Sequence, residues 1–217
     1  MNQNFFDPII LSLQTASVAL LFVVFFGILI AKGMAGSQFK GKILVETCLL
    51  LPLVLPPTVI GLLLIILFGR NSPLGAAIEA FLGQPVMFTW PAAVIASAVV
   101  AFPLMYQSAK SGFLSVDRAA EEAARVDGAG EWLVFIYITL PLSAKALAAG
   151  VILSFARALG EFGATLMFAG NLPGKTQTIP TAIYVAFESG FMNLAWLWAA
   201  VMVLISFLML LATRWLK

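Results

Sequence analysis

Five apolar stretches, each long enough to cross a bilayer, are joined by mostly short polar connections in a chain of 217 residues, and that pattern leaves few folds open. They run from Ile9 to Ala31, Leu44 to Gly69, Phe88 to Ser108, Lys145 to Ala169 and Leu194 to Thr213. A helix needs about 20 largely apolar residues, at about 1.5 Å each, to span the hydrocarbon core. Water is absent there, so each stretch must pair its own backbone groups as a helix. The polar interruptions are mostly Ser, Thr, Gln and Gly, which bond to their own backbone or to a neighbouring helix. A water-soluble domain is excluded by composition: 62% of residues are apolar and 10% charged, against about a quarter charged in soluble proteins. The expected fold is an all-α integral membrane protein of about five transmembrane helices, one domain over residues 1–217.

Pro52, Pro56 and Pro57 in the second stretch, and Pro91 and Pro103 in the third, each remove an N–H donor, so these helices are expected to bend or start late. Met1 to Pro8 carries Asp7, has no Lys or Arg, and leads into a run too long for a signal core, so it reads as retained. Orientation follows from the cations, which collect in cytoplasmic loops. One side gathers nine: Lys32, Lys40, Lys42, Lys110, Arg118, Arg125, Lys145, Arg214 and Lys217. The other has two, Arg70 and Lys175. The N-terminus is therefore expected outside, the C-terminus inside and the polar loop at about 109–144 in the cytoplasm. Trp90, Trp196 and Trp198 then fall at the outer interface, and Tyr106 and Trp215 at the inner one.

Several chemistries are excluded. A net charge of +2 with scattered cations offers no stripe for nucleic acid. The chain lacks histidine and has one cysteine, Cys48, which removes disulfides and the usual metal-ligand sets, and no nucleophile stands beside an activating base. Gly36 to Lys42 reads GSQFKGK, seven positions of a nucleotide loop, but the eighth is Ile43 where a hydroxyl must hold magnesium. The segment also follows a membrane helix where a strand is required, so it reads as a basic loop.

The densest cluster of charge in any one loop lies in Asp117 to Pro141, DRAAEEAARVDGAGEWLVFIYITLP, which reads as two short helices. Asp117, Glu121 and Glu122 sit in the early turns of the first, where negative charge suits the dipole, and Gly128 and Gly130 stop it. Ala119, Ala120, Ala123 and Ala124 give it a face without bulk. From these residues alone it is either a plug for a partner's groove or an amphipathic helix on the membrane surface.

The spacing then points to a family. Glu122, Ala123, Ala124, three residues, Gly128, nine residues, Ile138, one residue, Leu140 and Pro141 resembles at every fixed position the cytoplasmic signature loop of ABC importer permeases. LPLVLPPTVIG (Leu51 to Gly61) and FARALGEFGATLMFAGNLPGKTQTIPTAIY (Phe155 to Tyr184) are similar to the molybdate permease branch, with sulfate permeases as relatives. The resemblance covers nearly the whole chain and implies a type I importer permease in the inner membrane. By that resemblance it is expected to carry molybdate or tungstate and to work as a pair of identical chains with two ATP-binding subunits and an extracytoplasmic oxyanion-binding protein. A sulfate or thiosulfate permease is the neighbouring reading, and an assembly protein that docks a cytoplasmic partner is the alternative of another class. ATP and magnesium belong to the ATPase partner, and this chain binds no cofactor or metal.

By the same resemblance the ATPase contacts fall on Glu121, Glu122, Ala123, Ala124, Asp127, Gly128, Ile138, Leu140 and Pro141. Arg157 and Glu161, four apart in the fourth stretch, either satisfy each other or line the anion path. Gly160 and Gly163 beside them serve as gate or packing positions. Lys175, Thr176 and Gln177 are expected to meet the binding protein from the outer loop.

Overall fold

A computed structural model describes residues 4–214, and among these residues every regular element is helical. Trp215 and Lys217, assigned to the inner side above, lie outside the described residues. Three expected spans are continuous helices: α1 (Asp7–Ala35), α5 (Trp90–Leu114) and α12 (Met192–Arg214). Pro91 stands in the first turn of α5, which accounts for its late start, whereas Pro103 is absorbed inside that helix.

The second stretch is not one helix. It divides into α2 (Lys42–Val54) and α3 (Pro57–Phe68), which meet at 119°. Leu55 is extended because a following proline disfavours the helical region, and Pro56 and Pro57 supply no donors to continue the ladder. The fourth stretch is also interrupted. Its helix α9 (Ala144–Leu159) ends before Gly160, and α10 (Gly163–Phe168) restarts after a non-helical Phe162. Two helices complete the opposite end, α4 (Pro73–Leu82) and α11 (Ile179–Glu188), the former capped by Ser72, whose hydroxyl accepts from the Gly75 N–H at 2.8 Å.

The long loop is shorter than expected, because α5 continues through Lys110 to Leu114. Lys110 does not mark a loop: its ammonium pairs with Glu46 of α2 at 2.5 Å, so the charge is satisfied inside the bundle. Beyond Ser115 follow α6 (Arg118–Val126), α7 (Glu131–Val134), a π-helical segment (Phe135–Thr139) and the single turn α8 (Leu140–Leu142). The run Glu131–Leu142 meets α9 at 72°.

Small residues set the packing. The buried stripe of α1 includes Ser12, Thr15, Ala16, Ala19, Val23, Gly27 and Ala31, and α5 answers with Ala92, Ala96, Val100, Ala101 and Ala109. Helices in lipid gain little from apolar contact as such, so close backbone approach supplies the attraction. The outward face of α1 carries exposed Leu21, Phe22, Phe25 and Phe26, suited to acyl chains. Polar ties cross the bundle: Trp90 Nε1 donates to Thr15 Oγ1 at 3.0 Å, and the Ile179 N–H to Ser12 Oγ at 2.7 Å.

Two of the expected belt aromatics face inward. Trp198 is buried, stacked on Phe5 at 6.0 Å and donating to its carbonyl at 3.0 Å, so its ring packs on protein and not on lipid. Tyr106 is likewise buried, against Phe102.

Candidate coupling surface and intramembrane pair

Helix α6 is bounded by two local devices. Asp117 is its N-cap, its carboxylate accepting from the Ala119 N–H at 3.0 Å. At the other end Gly128 turns left-handed at φ +89°, the Gly128 N–H bonds to the Arg125 carbonyl and the Ala129 N–H to the Ala124 carbonyl, both at 3.0 Å. That pair of bonds is the Schellman arrangement, and it places glycine where a side chain is strained. The space around Gly128 is open on this chain. A side chain there is opposed by the backbone itself.

The two adjacent glutamates divide. Glu121 turns inward, accepts from the Thr139 hydroxyl at 2.6 Å and pairs with Arg125 at 3.7 Å. Within this chain it ties the hairpin together, with its side chain still partly exposed. Glu122, about 100° round the helix, is exposed, as are Ala123 and Asp127. Arg125 also grips Glu131 at 2.6 Å, and that carboxylate holds the guanidinium pKa above its ordinary value. Ile138 lies in the π segment, with Leu140 and Pro141 in α8, so the second half of the motif forms the bend that returns the chain to α9.

Arg157 and Glu161 are joined at 2.7 Å, but not along one helix face as expected. Arg157 occupies the last turn of α9, while Glu161 stands in the break, where its other oxygen accepts from the Ala164 N–H at 2.8 Å and starts α10. Glu161 is buried at 2%, whereas the Arg157 side chain is 31% exposed. The glycines separate as well. Gly163 is packed, since a Cβ there would lie 2.9 Å from Pro57 of α3, while Gly160 is exposed.

On the far loop, Thr176 and Gln177 are buried, with Thr176 Oγ1 accepting from the Leu172 N–H at 3.0 Å. They cannot present side chains to a docking protein, and of the three expected contacts only Lys175 is exposed. Sequence reading missed the Glu46–Lys110 pair and the Thr139–Glu121 bond. Their partners lie 64 and 18 residues apart, so no local spacing announced them.

Apolar spans, two of them broken, with a capped polar hairpin and a charged pair at one interruption, are the architecture of a multi-pass helical membrane protein. The profile of the family described as binding-protein-dependent transport system inner membrane component matches residues 12–217, and the chain belongs to that family. It is 61% identical over 207 residues, 95% of this chain and 91% of the relative, to YvgM of Bacillus subtilis (strain 168), whose name assigns it provisionally as a molybdenum transport system permease protein. Identity to the molybdenum transport system permease protein ModB of Escherichia coli (strain K12) is 44% over 183 residues, 84% of this chain and 80% of ModB. Among solved structures, a bacterial ABC transporter that imports the acidic polysaccharide alginate superposes with a TM-score of 0.78 at 18% identity, covering 99% of this chain and 79% of that one, a likeness of fold.

Proposed function

We propose that this chain is the inner-membrane permease of an ATP-driven importer of molybdate or the similar tungstate. The observation that carries the coupling role is the α6 hairpin, a rigid capped helix with exposed alanines and an outward Glu122, ended by a glycine turn that satisfies the family spacing. The hairpin faces the cytoplasm, with the N-terminus outside and the C-terminus inside, as the distribution of Lys and Arg requires. Two copies enclose the path and each hairpin seats in one ATPase subunit, which binds ATP and magnesium; this chain binds neither. An extracytoplasmic oxyanion-binding protein delivers cargo on the side of Lys175.

Identities of 61% and 44% to permeases named for molybdenum transport support the choice of anion over sulfate. Within the path, the half-exposed Arg157 supplies positive charge and the buried Glu161 fixes it in place. A guanidinium already paired at 2.7 Å binds a passing anion weakly, which suits transit. Closure of the ATPase pair draws the hairpins together and swings the helices between outward-open and inward-open forms.

The test is to purify the chain with its associated subunits, identify the anion held by the binding protein, and measure molybdate uptake into proteoliposomes with ATP inside. Molybdate bound with high preference and uptake that requires ATP are expected. Sulfate as the preferred ligand would reassign the cargo, and nucleotide hydrolysis by the isolated chain would overturn the division of labour.

A further inference from the structure

The hairpin is fastened to the first helix by a contact that lies outside the family spacing. Lys32, in the last turn of α1, places its ammonium 3.8 Å from the centroid of Phe135 and 4.4 Å from that of Trp132. The two rings tilt against each other at 5.8 Å, and Phe135 meets Phe113 of α5 edge-on at 5.5 Å. Phe135 is buried at 5% exposure. A cation over an aromatic face is attracted by the ring quadrupole, more strongly as water is removed.

The position of these rings along the chain gives the contact its meaning. Phe135 opens the π segment and Thr139 closes it. A π turn interrupts the regular helical ladder and often marks a functional site. Here it is held at both ends, by Lys32 on Phe135 and by the Thr139 hydroxyl on Glu121 of α6 at 2.6 Å. Arg125, bonded to Glu131 at 2.6 Å, braces α6 against α7. Without these ties a displacement of α6 would be absorbed where the ladder is irregular. With them it is delivered to the end of α1, which packs along α5 and α9, and α9 carries Arg157.

We propose that Lys32 is a force-transmitting residue whose ammonium, seated on Trp132 and Phe135, locks the docking hairpin to α1, so that ATPase closure moves α1 with the α5–α9 pair. This rests on the reading of the hairpin as the ATPase dock. Lys32 itself is a positioning residue and touches neither cargo nor nucleotide.

The experiment uses the complete complex, with permease pair, ATPase and binding protein, in proteoliposomes. Two quantities are read: ATPase copurified per permease, and molybdate taken up per ATP hydrolysed. K32M, which keeps the aliphatic stem, is expected to retain the ATPase and lose at least about fivefold in uptake per ATP. K32R restores a cation over the rings and is expected to recover the ratio, which a purely structural role for the lysine stem would not produce. W132L removes one ring at a 59% exposed position and is expected to lower the ratio even if K32M fails to accumulate. An undiminished ratio in K32M and W132L, or K32R as defective as K32M, would overturn the clasp while the docking reading stands. A wild-type chain that binds no ATPase would overturn both.

Discussion

Replacing Glu161 separates its structural task from any share in transport. One carboxylate oxygen accepts from the Ala164 N–H at 2.8 Å and the other pairs with Arg157 at 2.7 Å, in a residue only 2% exposed. Losing a helix cap of this kind costs about 1 kcal/mol. Breaking a fully buried ion pair by removing one partner costs about 3–5 kcal/mol, chiefly through the charge left behind. Arg157 is 31% exposed and reaches solvent or headgroups once freed, so the smaller end of that range is discounted further. Glu161→Ala is therefore expected to lose about 2–4 kcal/mol, the sum of a cap and a partly screened pair. Glu161→Gln keeps an acceptor for Ala164 but turns an amide NH2 toward Arg157 where the second oxygen stood, so the cap survives and the partly screened pair is lost, about 1–3 kcal/mol. The assay is unfolding in mixed micelles with increasing SDS, followed by circular dichroism, with Arg157→Gln and the double variant completing a thermodynamic cycle. Wild-type stability for Glu161→Ala would refute the assignment, as would a coupling energy of zero between the two residues.

Three further outcomes follow from single contacts. Gly128→Trp is expected to leave the membrane helices inserted and abolish ATPase copurification, since φ +89° opposes any L side chain by about 1–2 kcal/mol and the ring occupies the docking face; normal copurification counts against docking there. Gly61→Leu is expected to destabilise by about 1–3 kcal/mol in the same SDS titration, because even a Cβ would stand 2.6 Å from Met167 Cβ, whereas Gly33→Leu, which meets nothing within 4 Å, serves as the neutral control. In a Cys48→Ser background, an impermeant thiol reagent added outside is expected to modify Lys175→Cys and spare Arg118→Cys; labelling of the latter inverts the orientation.

Three spans, α1, α5 and α12, were legible because bilayer thickness imposes a length that composition reports directly. The hairpin was legible for a different reason: Asp117, Gly128 and the alanines act through their own backbone within a turn or two, and local rules suffice for local bonds. What sequence reading overran were the interior ends of the second and fourth spans. Leu55 and Gly160 are as apolar or small as their neighbours, so hydropathy passes straight through them, although Pro56 and Pro57 gave warning at the first. Thr176 and Gln177 misled in the opposite sense. Their polarity suggested a surface, but the loop folds inward and buries both, with Leu172 as the partner of Thr176. Polar side chains announce a need for hydrogen bonds, which a buried loop meets as well as water does.

The two interruptions also explain each other. Gly163, the first residue of α10, lies so close to Pro57, the first of α3, that a Cβ would approach to 2.9 Å, and Gly61 meets Met167 in the same way one turn on. A proline pair ends one span and a charged glycine-rich turn ends the other, and the two half-helices that follow pack on each other. Backbone that leaves the helix at membrane depth is tolerated only against protein or water, never against lipid. Among the described residues the breaks leave Pro56 and Gly160 exposed, with Arg157 beside the second. Exposed irregular backbone of this kind suits a neighbouring chain or water, whereas the Phe-rich face of α1 suits acyl chains. The charged pair thus stands at the second of the two breaks, with Arg157 partly exposed beside Gly160 and Glu161 buried.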